Sequence, residues 1–242
     1  MNNELLLMSG ADIPFISAQV NIHQPTIYEI SLIGEESFFS GCQFLNFNKN
    51  MIDAEGNLDL TQMSDFEVFM SIMQSSEGSI VRNNVLMVLT LIFPTYRILL
   101  EDELILLDES KIIRINDTNY DEFKDILVSM FNLNENEDGT NGNYNPIDNR
   151  ASKIAEKLRK AKAKKAEKNG DEKIAILSRY VSILAVGEHK DINSLMRYTV
   201  FQLNDEFKRF QMKQSFDIYM QAKMAGATGL DEVDHWMDKI HS

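Results

Sequence analysis

Apolar residues recur at helical spacing along much of this chain, and the clearest run is Thr199 to Met224. Val200, Leu203, Phe207, Phe210 and Gln211 step by three and four, which keeps them on one face of a single long helix. Thr199 and Gln202 have the spacing of a capping box, and Ala225-Gly226 supplies the glycine that tolerates a left-handed turn beyond a helix. Such a stripe needs a cover, either from flanking helices or from another chain.

Upstream the pattern changes several times. Residues 1–24 have weak periodicity and read as an extended arm with one short strand around Phe15–Ile22. Thr26 and Glu29 follow Pro25 as a second capping box and open a helix. Gly34, Gly41 and Cys42 then interrupt the pattern, although Phe38, Phe39, Phe44, Leu45 and Phe47 are dense enough for core. Residues 48–62 are polar and read as a loop. Ser64 to Glu67 is a helix start, followed by a face of Phe66, Phe69, Met70 and Met73. Ile80 to Phe93 is apolar nearly all round and reads as a buried helix closed by Pro94. The short runs 96–100, 104–107 and 111–115 are separated by acidic turns, which predicts an antiparallel meander of two or three strands. Asn116 to Thr118 leads into a helix that buries Phe123, Ile126, Leu127 and Met130, with Asp121 near its positive end.

Residues 132–149 are dominated by Asn, Asp and Gly and form the clearest linker. Residues 150–168 carry nine basic residues against Glu156 and Glu167, with strong helix formers throughout, and read as a solvated basic helix. A C-terminal unit follows. Asp171 can cap a helix with Ile174, Leu177, Val181 and Leu184 inward, Gly187 ends it, and Asp191 starts a short helix with Leu195 and Met196. Beyond Gly226 and Gly229, Asp231 opens a last amphipathic helix with Val233, Trp236, Met237 and Ile240. The expected fold class is therefore mainly α (α+β). An acidic helical domain with a small β meander spans 1–131, a polar linker and basic helix 132–170, and a helical bundle 171–242.

Charge sharpens this division. Residues 1–149 hold six Lys and Arg against 24 Asp and Glu, a net of −18, while residues 150–242 hold 18 against 13, a net of +5. Two units of opposite sign attract each other. The overall charge of −13 argues against a chain that embraces nucleic acid as a whole. Hydrophobic residues make up 44%, enough for a core. The single cysteine, Cys42, excludes an intramolecular disulfide, fits a reducing cytoplasm, and reads as a small buried hydrophobe. Met-Asn-Asn-Glu and the brief apolar run after it lack the form of a signal peptide, and no apolar run approaches a membrane span.

The chemistry-bearing residues assemble no catalytic set. Gly139 to Gly142 lacks the lysine of a phosphate loop, and no serine sits in a nucleophile elbow. Asp231, Asp234, His235, Asp238 and His241 form the best metal candidate, yet acids also favour the start of a helix and no second ligand set exists. No cofactor is implied. The basic run lacks aromatics for base stacking. A helix–turn–helix over 174–198 would place its recognition helix near Asp191, offering Asn193, Ser194 and Arg197.

Two segments carry a family resemblance: Leu177 to Phe210 (LSRYVSILAVGEHKDINSLMRYTVFQLNDEFKRF) with Ala225-Gly-Ala and Trp236-Met-Asp-Lys-Ile-His, and Ile33 to Leu45 (IGEESFFSGCQFL). Together they resemble tail assembly chaperones of tailed bacteriophages. The resemblance implies a helical, non-enzymatic protein of the host cytoplasm that binds tape-measure or tail-tube protein before the tail closes. On that expectation Phe201, Phe207, Phe210, Tyr219 and Trp236 are the partner contacts, insofar as the bundle leaves them uncovered. The alternatives are a structural virion component, such as a baseplate, neck or connector protein, and a DNA-binding regulator. The sequence leaves oligomerisation open.

Overall fold

The computed structural model describes residues 4–46, 63–74, 79–101, 103–109, 111–133, 176–229, 233 and 235–237. The basic run 150–168, the Asp171 cap and most of the polar linker lie outside these residues. So do Phe47, the 48–62 loop and most of the expected terminal helix.

Local signals set several helix starts. Thr26 caps α2 (Ile27–Ile33): the Glu29 N–H donates to Thr26 Oγ1 at 3.3 Å, and the Thr26 N–H donates to Glu29 Oε2 at 2.7 Å. Ser64 and Glu67 make the same reciprocal pair at 3.1 and 2.8 Å ahead of α4 (Asp65–Gln74). Each box satisfies two amide groups that a helix start otherwise leaves unbonded. The helix α5 (Ser79–Ile92) ends before Pro94, as its pattern predicts, but it is not buried all round. Val85, Val88, Leu89 and Ile92 face the core while Ile80, Arg82, Asn83, Met87 and Thr90 are exposed, because a second row of apolar residues does not by itself supply a second neighbour. The meander has three strands, β3 (Arg97–Leu100), β4 (Leu104–Leu107) and β5 (Ile112–Ile115), all antiparallel in that order. Next comes α6 (Tyr120–Phe131), which buries Phe123, Ile126, Leu127 and Met130. The architecture is mainly α with two small antiparallel sheets, the class the pattern predicts.

Two further expectations are corrected. The N-terminal stretch is not an extended arm with one strand. It holds α1 (Glu4–Ser9) and a hairpin of β1 (Ile13–Phe15) and β2 (Val20–Ile22), paired Ile13 to Ile22 and Phe15 to Val20. Three-residue strands are too short to show an alternation that sequence can read. Gly41 and Cys42 likewise do not break the chain, because α3 (Glu35–Leu45) runs through both. A Cβ on Gly41 would stand 2.6 Å from the Asn84 carbonyl oxygen on α5. The glycine is there for close helix approach, and Cys42 is fully buried beside it.

Aromatic rings fill the interior. Tyr120 packs against Phe66 at 5.1 Å and Phe69 at 5.5 Å, Phe123 against Phe15 at 5.8 Å, and Phe131 against Phe38 at 5.0 Å. The Tyr120 hydroxyl donates to the Leu45 carbonyl at 2.9 Å, and burial pushes its phenol well above the ordinary range. Lys124 ties α6 to α4 through Asp65 and also meets Asp121, each at 2.9 Å.

The C-terminal elements are α7 (Ile176–Gly187), the one-turn α8 (Ile192–Leu195) and α9 (Val200–Met224). They join the same hydrophobic cluster, which runs from Leu7 to Phe207. Main-chain bonds stitch them to α2: the Ile27 N–H donates to the Tyr198 carbonyl at 2.8 Å, and the Tyr28 N–H to the Met196 carbonyl at 2.9 Å. The Leu177 N–H donates to Glu35 Oε1 at 2.7 Å, satisfying an amide in the first turn of α7.

Candidate functional site

The site is built around α9. Thr199 and Gln202 form the expected capping box at 3.3 and 2.9 Å, and Val200, Leu203 and Phe207 are buried. The Gln202 amide also donates to the Met8 carbonyl at 2.7 Å, which fastens α1 to the base of α9. After Phe210 the helix leaves the core, and no residue from Gln211 to Met224 is buried. That outer half is roughly 20 Å long at 1.5 Å per residue.

Of its large apolar residues only Ile218, about five full turns beyond Val200, continues the core stripe; the others lie on a second face. At 100° per residue, Met212, Phe216 and Tyr219 stand roughly opposite Val200, Leu203 and Phe207. Ile218 is 64% exposed, Met220 38% and Met224 82%. Apolar groups on an otherwise solvated helix mark a surface that something else covers.

Beside this face lies a cleft of about 520 Å³ lined by Met8, Tyr198, Arg209, Phe210, Lys213 and Trp236, with Glu188, Gln202, Asp205 and Glu206 completing the wall. Its apolar walls are side chains from α1, α9 and the C-terminal segment; its rim is charged and internally paired. Lys190 meets Glu206, donates to the Tyr198 hydroxyl at 3.0 Å, and lies 5.4 Å from the Tyr198 ring centroid. Burial pulls the Lys190 ammonium down, but the bonds and charge of Glu206 and Tyr198 outweigh it, so it titrates above the ordinary lysine range. Arg209 pairs with Asp205 at 3.2 Å, and Lys213 with Glu188 at 3.8 Å. The Lys190–Glu206 and Lys213–Glu188 pairs hold the α7–α8 turn against α9, while Arg209–Asp205 lies within α9.

The five expected contact residues are spread around this site. Phe210 and Trp236 line the cleft together. Tyr219 is half-buried on the outer half, with the Lys223 ammonium 5.5 Å from its ring centroid. Phe201 is half-buried against the core. Phe207 is buried, stacked on Tyr180 at 3.8 Å and 13°, so its ring is occupied in the interior. Sequence reading passed over Met8, because the N-terminal residues showed no helical period, and over Phe216, and it took His235 only as a metal candidate. The signal for the second face was the four-residue spacing of Met212, Phe216, Met220 and Met224.

The C-terminal segment also differs from expectation. Trp236 and Met237 stand in a turn rather than a helix. Of the metal candidates only His235 lies among the described residues, where no group of three or more His, Cys, Asp and Glu could hold an ion. The expected recognition helix is a single turn, with Leu195 buried, which is too short to lie along a major groove.

Residues 164–241 match the family model of the YomV second domain. The YomV-like segment includes α7, α8, α9 and Trp236, and therefore most of the cleft wall. The match suggests a phage protein. It covers less than half of the chain, leaving the N-terminal helices and the meander outside it. Neither a curated protein nor a solved structure matches the chain. No helix among the described residues is long and apolar enough to cross a membrane.

Proposed function

We propose that this chain is a non-enzymatic assembly factor of a tailed bacteriophage, a tail assembly chaperone that holds tape-measure or tail-tube protein during tail morphogenesis in the host cytoplasm. The observation that carries the reading is the outer half of α9, which leaves the core with Ile218, Met220 and Met224 exposed. Methionine side chains are flexible and polarizable, so a Met-bearing face adapts to apolar segments that have yet to reach their final packing. The match of this same segment to a phage-derived domain supports a phage setting. On this reading Phe210, Tyr219 and Trp236 meet the partner, while Phe201 and Phe207 hold the helix that presents them.

The test is mass spectrometry on two samples: proteins recovered with the tagged chain from infected cells, and gradient-purified virions. A chaperone is recovered with tape-measure or tube protein and is missing from virions. Stoichiometric presence in virions makes the chain a structural component instead.

A further inference from the structure

The outer half of α9 already carries an occupant. Beyond Met224 the chain turns at Gly226 (φ 87°) and Gly229 (φ 74°), both left-handed, with nothing within 4 Å of where a Cβ would stand. These glycines serve backbone reversal rather than packing. His235 and Trp236 lie back along the helix. The His235 ring meets the Phe216 ring edge-on at 4.5 Å, and Trp236 enters the cleft, where its carbonyl accepts from Arg209 Nη1 at 3.4 Å. Arg209 lies roughly 22 Å back from the end of α9 at 1.5 Å per residue.

Much of the described segment stays in water. Within the segment, the His235 ring lies 5.7 Å from that of Trp236, and the Met237 N–H donates to His235 Nδ1 at 3.1 Å. Val233, Trp236 and Met237 keep 36%, 40% and 67% of their surface exposed. A segment that leaves this much of its side chains in water is held by less burial than a core element and can exchange with a competitor.

We infer that His235 to Met237 is a resident cover on the second face of α9, occupying the surface an apolar partner segment takes and yielding to it. The inference rests on the proposed reading of α9 as the docking element, and it names how that surface is regulated. The cover presents an aromatic side chain and a backbone carbonyl to the cleft. A displacing segment would offer the same chemistry: an aromatic residue in a stretch whose carbonyl can reach Arg209.

Trp236 is the only tryptophan in the chain, so its fluorescence reports the cover without a label. In the full-length protein, Phe216→Ala and Arg209→Ala should each shift Trp236 emission to the red and raise its quenching by acrylamide, with far-ultraviolet circular dichroism unchanged. Loss of one aromatic pair lowers the docking equilibrium roughly three- to tenfold. The double variant His235→Ala/Trp236→Ala should bind more of the apolar dye anilinonaphthalene sulfonate than the native chain does. Trp236 emission and quenching unchanged by Phe216→Ala, or dye binding unchanged in the double variant, overturns the inference. Both readouts use the isolated protein, so a failure to recover a phage partner bears on the chaperone reading and leaves this result standing.

Discussion

Thr26 and Thr199 face each other in an antiparallel bridge, and each is the N-cap of the helix that follows it. Two capping boxes separated by most of the chain are thus brought side by side. The α9 base is fixed by hydrogen bonds involving the main chain of α2 and α1, which anchors the helix where its outer half extends beyond the core.

Each threonine should therefore matter to stability. Thr26→Ala and Thr199→Ala should each cost about 1 kcal/mol, the usual loss of an N-cap. The double variant should depart from additivity, because the two sites touch. Urea unfolding tests this: the midpoint should fall while the slope holds.

The two close glycines should respond differently to alanine. At Gly41 the added methyl meets backbone, the Asn84 carbonyl oxygen at 2.6 Å, so α3 and α5 must move apart. Overpacking of this kind costs about 1–3 kcal/mol, less whatever the helix gains from alanine. At Gly187 the methyl meets only the tip of the Phe210 ring, 2.5 Å from Cζ, and that ring can swing. Gly187→Ala should leave the thermal midpoint closer to the native value, and it should displace Phe210 from its place on the cleft wall, read as a change in Trp236 emission. Equal destabilisation by both changes contradicts the packing described.

Much of this architecture was legible because its signals are local. A capping box spans four residues, and the stripes of α4 and α6 each repeat within one element, so neighbouring side chains suffice to read them. What failed was non-local or too short. The β1–β2 hairpin has three-residue strands, and Gly41 looked like a break because its reason lies 43 positions away, on α5. The cleft needs Met8, Tyr198 and Trp236 together, and no periodicity joins them.

Acid should weaken the α2 start. Burial raises the Glu29 carboxyl, but its bonds to Thr26 and its proximity to His23 outweigh this, leaving it below its ordinary value of 4.5. A group with a lowered folded pKa stabilises above the unfolded value and loses that contribution as pH falls through the folded one. Glu29→Gln should thus be less stable than the native chain at neutral pH, with the gap closing as pH falls below 4.5. Urea midpoints across that range check it, and a gap that widens on acidification contradicts it.

The account turns on the exposed outer half of α9. The most direct measurement compares recovery of tape-measure or tail-tube protein from infected cells by the tagged native chain and by an Ile218→Ser/Met220→Ser/Met224→Ser variant. Surface changes of this kind should leave the thermal midpoint nearly unmoved. The prediction is strong recovery with the native chain and loss of most of it with the folded variant. Equal recovery by both, or no tail protein with either, would contradict α9 as the docking element for a tail partner.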